Sequence, residues 1–106
     1  VQPDVGRCGI SELMRISELA ELYGKPVAPH LSVGQAGCIA ATLHCDAAIY
    51  NFYGMQEYQP SILPVANEFL IDPIKCENGA FSIPEGAGLG IEFDEDKVRY
   101  YSSENK

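Results

Sequence analysis

Residues 26–53 read "PVAPHLSVGQAGCIAATLHCDAAIYNFY", and the order of patterns in this stretch decides the fold. "PVAPH" is a short apolar run that closes on His30. The glycine-bearing loop "LSVGQAG" leads into "CIAATLHCDAA", which is rich in helix formers. "AIYNF" then returns to β-branched and aromatic residues, the composition of a strand. Upstream, "VQPDV" reads as the end of a strand and "RCGIS" as a turn. Residues 10–24 follow as a helix, with Leu13, Ile16, Ala20 and Tyr23 spaced to form one buried face. Ser11 is expected to cap this helix, and Gly24 with Pro26 to end it. The order is strand, helix, strand, helix, strand. It predicts an α/β fold with parallel βαβ units and three strands side by side.

Downstream the pattern changes. Residues 58–73 are expected to form a mostly irregular connection. Residues 74–93 read as short strands, with "ENG" as a hairpin turn. "FDEDKVRYY" is expected to close with a short helix, and the last residues, "SSENK", to fray. This divides the chain at residue 57, into βα units over 1–57 and a connection with a β segment over 58–106.

Composition narrows the function. In 106 residues, 15 acids face 7 bases, for a formal charge of −8. That balance argues against a nucleic-acid partner and against an anionic membrane surface. No apolar run approaches the roughly 18 residues of a membrane span. The chain opens on "VQPD" with no initiator methionine, which predicts a processed chain or a piece of a longer one. Cys8, Cys38, Cys45 and Cys76 form no C-x-x-C pair, so they read as small buried hydrophobes of a cytoplasmic protein.

The residues that carry chemistry sit at strand ends, where α/β folds collect their sites. Asp4 ends the first strand and His30 the second. Parallel neighbours lie about 4.8 Å apart, so the two side chains come within reach. An aspartate accepting from one imidazole nitrogen fixes the tautomer and frees the other for proton transfer. Glu57 follows the third strand and adds a second carboxyl. The plainer alternatives are a solvated or structurally bonded histidine and a surface glutamate. His44 lies inside the second helix, where packing is favoured over ligation. "GAGLG" lacks the helix a dinucleotide loop requires, so its glycines read as serving tight backbone geometry. "EFDED" reads as a solvated face.

Taken together, "QPDVGRCGISELMRISELAELYGKPVAPH", "AATLHCDAAIYNF", "QEY" and "IPEGAGLGIEFDEDKV" resemble the carboxyl-terminal part of the mandelate racemase/muconate-lactonizing group of the enolase superfamily. Sugar-acid dehydratases of the galactonate and mannonate type look most similar. The resemblance implies the last βα units of a TIM-type barrel, with residues 74–93 returning to a capping domain. It implies that Asp4 and His30 form a proton-transfer dyad and that Glu57 hydrogen-bonds the substrate or its enolate. It also implies Mg²⁺ in the full-length parent, on carboxylates of earlier strands, with no metal ligand in this chain. A small sugar acid is the implied substrate, and the parent is expected to be a homo-oligomer. Two departures stand out: one glycine in "RCGIS" where the family has two, and Tyr50 where it has proline. The alternative from another class is a non-catalytic module that associates through an open sheet edge.

Overall fold

The computed structural model describes residues 1–31 and 34–102. Three short extended segments, 1–4, 26–30 and 51–53, run parallel with 26–30 in the middle. His30 N–H donates to Pro3 O and Ala28 N–H to Val1 O, both at 2.9 Å. On the other side, Val27 N–H donates to Asn51 O at 2.9 Å and Tyr53 N–H to Val27 O at 2.8 Å. Each neighbouring pair is reduced to one bridge, Asp4 with His30 and Val27 with Phe52. The expected order and direction are therefore present, with shorter strands than the sequence suggests.

Helix α1 (Val5–Leu22) joins the first two segments and α2 (Ala36–Ala48) the second and third. The expected turn at "RCGIS" is corrected. The helix starts at Val5, capped by Asp4, and not at Ser11; Gly9, at φ 80° and ψ 167°, kinks it. Glycine takes this left-handed φ at little steric cost. The buried face is also corrected. Leu13 and Ala20 are buried, but Tyr23 is 74% exposed. Ser17 takes an inner place instead, its hydroxyl donating to Leu13 O. The end is as expected: Gly24 N–H donates to Glu21 O and Lys25 N–H to Ala20 O, with Gly24 at φ 62°. These two bonds make a Schellman motif.

Helix α2 is apolar on nearly every side, which suits a helix in the middle of a core. It feeds two clusters. Ile39, Ala40 and Leu43 pack with Leu31, Leu63, Ala66, Leu70 and Ile74, while Cys45 packs with Leu13, Ala20, Val27 and Ile49. The first cluster thus draws on residues both before and after residue 57. All four cysteines are free; Cys45 is buried, whereas Cys8, Cys38 and Cys76 are half-buried.

Residues 58–73 are not wholly irregular, because α3 (Leu63–Glu68) forms within them. Pro64 stands in its first turn, where the missing N–H costs no helical bond. Asn67 closes the following loop with both arms of its amide, donating to Ile74 O and accepting from Ile74 N–H. The hairpin is present as β1 (Cys76–Glu77) and β2 (Ala80–Phe81). Its turn residues, Asn78 and Gly79, both have positive φ, as a two-residue type I′ turn requires. Beyond it, residues 84–92 contain no strand. Leu70 bridges Phe93 in antiparallel fashion, and α4 (Glu95–Tyr100) follows, with Asp94 as its N-cap. Tyr101 returns to α3, donating its hydroxyl to Glu68 at 2.8 Å. The expectation for "SSENK" falls mostly on residues 103–106, outside those described. Among the described residues no helix is long and apolar enough to cross a membrane.

Candidate active site

The parallel arrangement of segments 1–4 and 26–30 brings Asp4 and His30 together. His30 Nδ1 lies 2.9 Å from Asp4 Oδ2. The other carboxylate oxygen, Oδ1, accepts from Gly6 N–H at 2.7 Å as the cap of α1. Asp4 therefore does two jobs at once. The helix start fixes its carboxylate, and the fixed carboxylate orients the imidazole. The Asp4 side chain is only 11% exposed, whereas that of His30 is 43% exposed. With Nδ1–H donating to the carboxylate, Nε2 is the nitrogen left outside that bond.

Glu57 completes the group. Its Oε2 accepts from Leu31 N–H at 2.9 Å and stands 3.7 Å from His30 Nε2. At 3.7 Å this is an approach rather than a hydrogen bond. The imidazole thus lies between two carboxylates that come from opposite flanking segments. All three side chains singled out from the sequence meet in one place.

Two residues that sequence reasoning missed hold this place in shape. Gln56 Nε2 donates to Pro29 O at 3.1 Å, and Gln59 Nε2 donates to Leu31 O. With Glu57 on Leu31 N–H, three side chains from "QEYQ" grip the backbone on either side of His30. The only signal in the sequence is the density of amides around Glu57. His44 is a structural histidine, as the packing reading expects: its Nε2 lies 2.9 Å from Leu89 O and ties α2 to the glycine-rich turn. That turn needs its glycines for shape. Gly90 has φ 73°, and a Cβ there would lie 2.7 Å from both C and O of Pro84. The loop "HLSVGQ" contains residues 32–33, which lie outside those described.

Among the described residues no three His, Cys, Asp or Glu side chains are grouped to hold a metal ion. The arrangement can support proton transfer: an oriented histidine, a half-buried carboxylate behind it and a second carboxylate in front.

An α/β unit that gathers a histidine and two carboxylates at one end of its parallel segments has an arrangement able to support acid–base chemistry. Sequence comparison goes further: residues 1–97 match the enolase C-terminal domain-like family, and the chain belongs to that family. D-galactarolactone cycloisomerase of Agrobacterium fabrum is 35% identical to it over 106 residues, which cover 92% of this chain and 28% of that protein. A D-galactonate dehydratase family member from Halomonas elongata is 34% identical, covering 88% of this chain and 23% of that one. A crystal structure of an enolase-superfamily member from Agrobacterium tumefaciens superposes with a TM-score of 0.83 at 35% identity, over 93% of this chain and 25% of that one. The chain spans about a quarter of the length of these relatives.

Proposed function

We propose that this chain is the carboxyl-terminal part of an acid-sugar dehydratase in which His30 carries the proton. The observation behind this reading is the imidazole placed between Asp4 and Glu57. Relatives that include a D-galactonate dehydratase family member support dehydration as the reaction type. The chemistry removes the hydrogen on the carbon beside a carboxylate and expels the neighbouring hydroxyl as water, and the resulting enol becomes a keto acid. Nε2 of His30 is the proton carrier at the reacting carbon or at the leaving hydroxyl. Asp4 keeps the imidazole in the Nδ1–H tautomer through the cycle, as a positioning residue. Glu57 Oε1 accepts no hydrogen bond among the described residues, which leaves it for a substrate hydroxyl.

The family resemblance also implies Mg²⁺, which would stabilise the enolate as a Lewis acid. The described residues do not fit such an ion, so its ligands would lie outside this chain, and no step above runs through it. On the same reading, segments 1–4, 26–30 and 51–53 are the last strands of a TIM-type barrel, and residues 58–106 return toward a capping domain. The parent would be a cytoplasmic homo-oligomer.

The test is turnover of a panel of aldonic and aldaric acids with Mg²⁺, following keto-acid formation. A full-length protein carrying these residues should dehydrate at least one, and the 106-residue chain alone none. Turnover by the chain alone, or a full-length protein inert on the whole panel but active in another reaction, overturns this reading.

A further inference from the structure

Pro29 and Leu31, on either side of His30, are buried, and their backbone groups need partners that no strand supplies. Along residues 27–31 the backbone groups alternate between two neighbours. Ala28 and His30 donate to the first segment, at Val1 O and Pro3 O. Val27 faces the third segment, donating to Asn51 O and accepting from Tyr53 N–H. The same alternation turns Pro29 and Leu31 toward the third segment. Gly54, at φ 93°, breaks the extended run after Tyr53, and among the described residues no backbone group of 54–59 bonds to 28–31. Pro29 O, Leu31 N–H and Leu31 O are therefore left without a ladder.

Side chains fill the gap. Gln56 Nε2 donates to Pro29 O at 3.1 Å and stands 3.5 Å from Glu57 O. Gln59 Nε2 donates to Leu31 O, and Glu57 Oε2 accepts from Leu31 N–H at 2.9 Å. Gln59 is itself anchored, because its own O accepts from Ile62 N–H and Leu63 N–H at the start of α3. Leu63 and Ala66 of α3 pack in one cluster with the Leu31 side chain. One short run thus fixes the backbone that carries the imidazole and the carboxylate 3.7 Å from its Nε2. The contact between Asp4 and His30 is held from the other side, by Pro3 O and the cap of α1.

We propose that Gln56 and Gln59 are positioning residues that set the separation of His30 and Glu57, their amides standing in for the missing ladder. The inference rests on the reading of His30 as the proton carrier. Both amides act through the backbone of Pro29 and Leu31. Methionine matches glutamine in length and has no N–H donor, so Gln→Met removes the bond and keeps the bulk.

The test uses the full-length protein with Gln56→Met and Gln59→Met combined. Its crystal structure should show the His30 Nε2–Glu57 Oε2 separation shifted by about 1 Å, a displacement that can cost about 10²-fold in rate. Asp4 and His30 should stay in contact. The kcat for keto-acid formation, measured well below the thermal midpoint, should fall by about 10–100-fold. In a Glu57→Gln background the same two changes should cost much less, because both act on one His30–Glu57 pair; a purely structural role would make the losses multiply. An unchanged separation, an undiminished kcat or losses that multiply would each overturn the proposal. A parent inert on every sugar acid fails the dehydratase reading alone, and the separation in the crystal structures of parent and variant then decides this one. If the double variant does not fold, either single variant is read in the same way.

Discussion

On the proposed reading, Asp4 serves fold and chemistry together. Its Oδ1 caps α1 and its Oδ2 faces His30. The two roles separate by substitution. Asparagine is as good an N-cap as aspartate, so Asp4→Asn should keep the helix start while losing the carboxylate behind the imidazole. Asp4→Ala should lose both, at about 1 kcal/mol for the cap; urea titration of the two variants measures the difference. Glu57 allows a similar separation. Gln in its place still accepts from Leu31 N–H, so Glu57→Gln should fold normally and affect turnover alone. Asp4, His30 and Glu57 were legible because each ends or follows a strand, and strand ends converge in α/β folds. Gln56 and Gln59 were not, because an amide's backbone partner is set by tertiary approach and leaves no periodic trace. The burial of the Asp46 carboxylate oxygens was hidden for a similar reason: tertiary packing sets it, and no periodic pattern records it.

At the scale of elements, periodicity revealed the two long helices and punctuation revealed their ends. Gly24, Asn78 and Gly79 sit where positive φ is needed, and each was readable as a stop or a turn. The start of α1 was misplaced because "RCGIS" looks like a turn, and one does interrupt the helix at Gly9. Helix α3 was missed because six residues holding a proline give too short a period to detect. The glycine-rich turn gives a prediction. Gly90→Ala meets both a positive φ and the Pro84 carbonyl at 2.7 Å. It should cost about 1–3 kcal/mol, and the thermal midpoint checks it. Asn67→Ala strands both backbone groups of Ile74 and should cost about 1–3 kcal/mol by the same measurement.

For the molecule as a whole, pH exposes the buried acid. Burial raises the folded pKa of the Asp46 carboxyl from the ordinary 3.8 to about 7. A raised carboxyl means that the folded state holds its proton longer than the unfolded state. Stability is therefore greatest below the unfolded value and falls as pH rises toward 7, levelling off above it. Asp46→Asn should remove that slope and gain on the order of 1 kcal/mol at about pH 8, after allowance for solvent screening; urea midpoints across the pH range test both. The α/β order was legible as a whole because it rests on alternating patterns. The brevity of the parallel segments was not, because a strand pattern records burial and says little about how many ladder bonds form. The central claim is that Asp4 holds His30 for proton transfer, and the rate of keto-acid formation by the full-length protein carrying Asp4→Asn tests it most directly. The account predicts a loss of about 10²–10⁴-fold with an unchanged circular dichroism spectrum. A rate within a few-fold of the parent would contradict it.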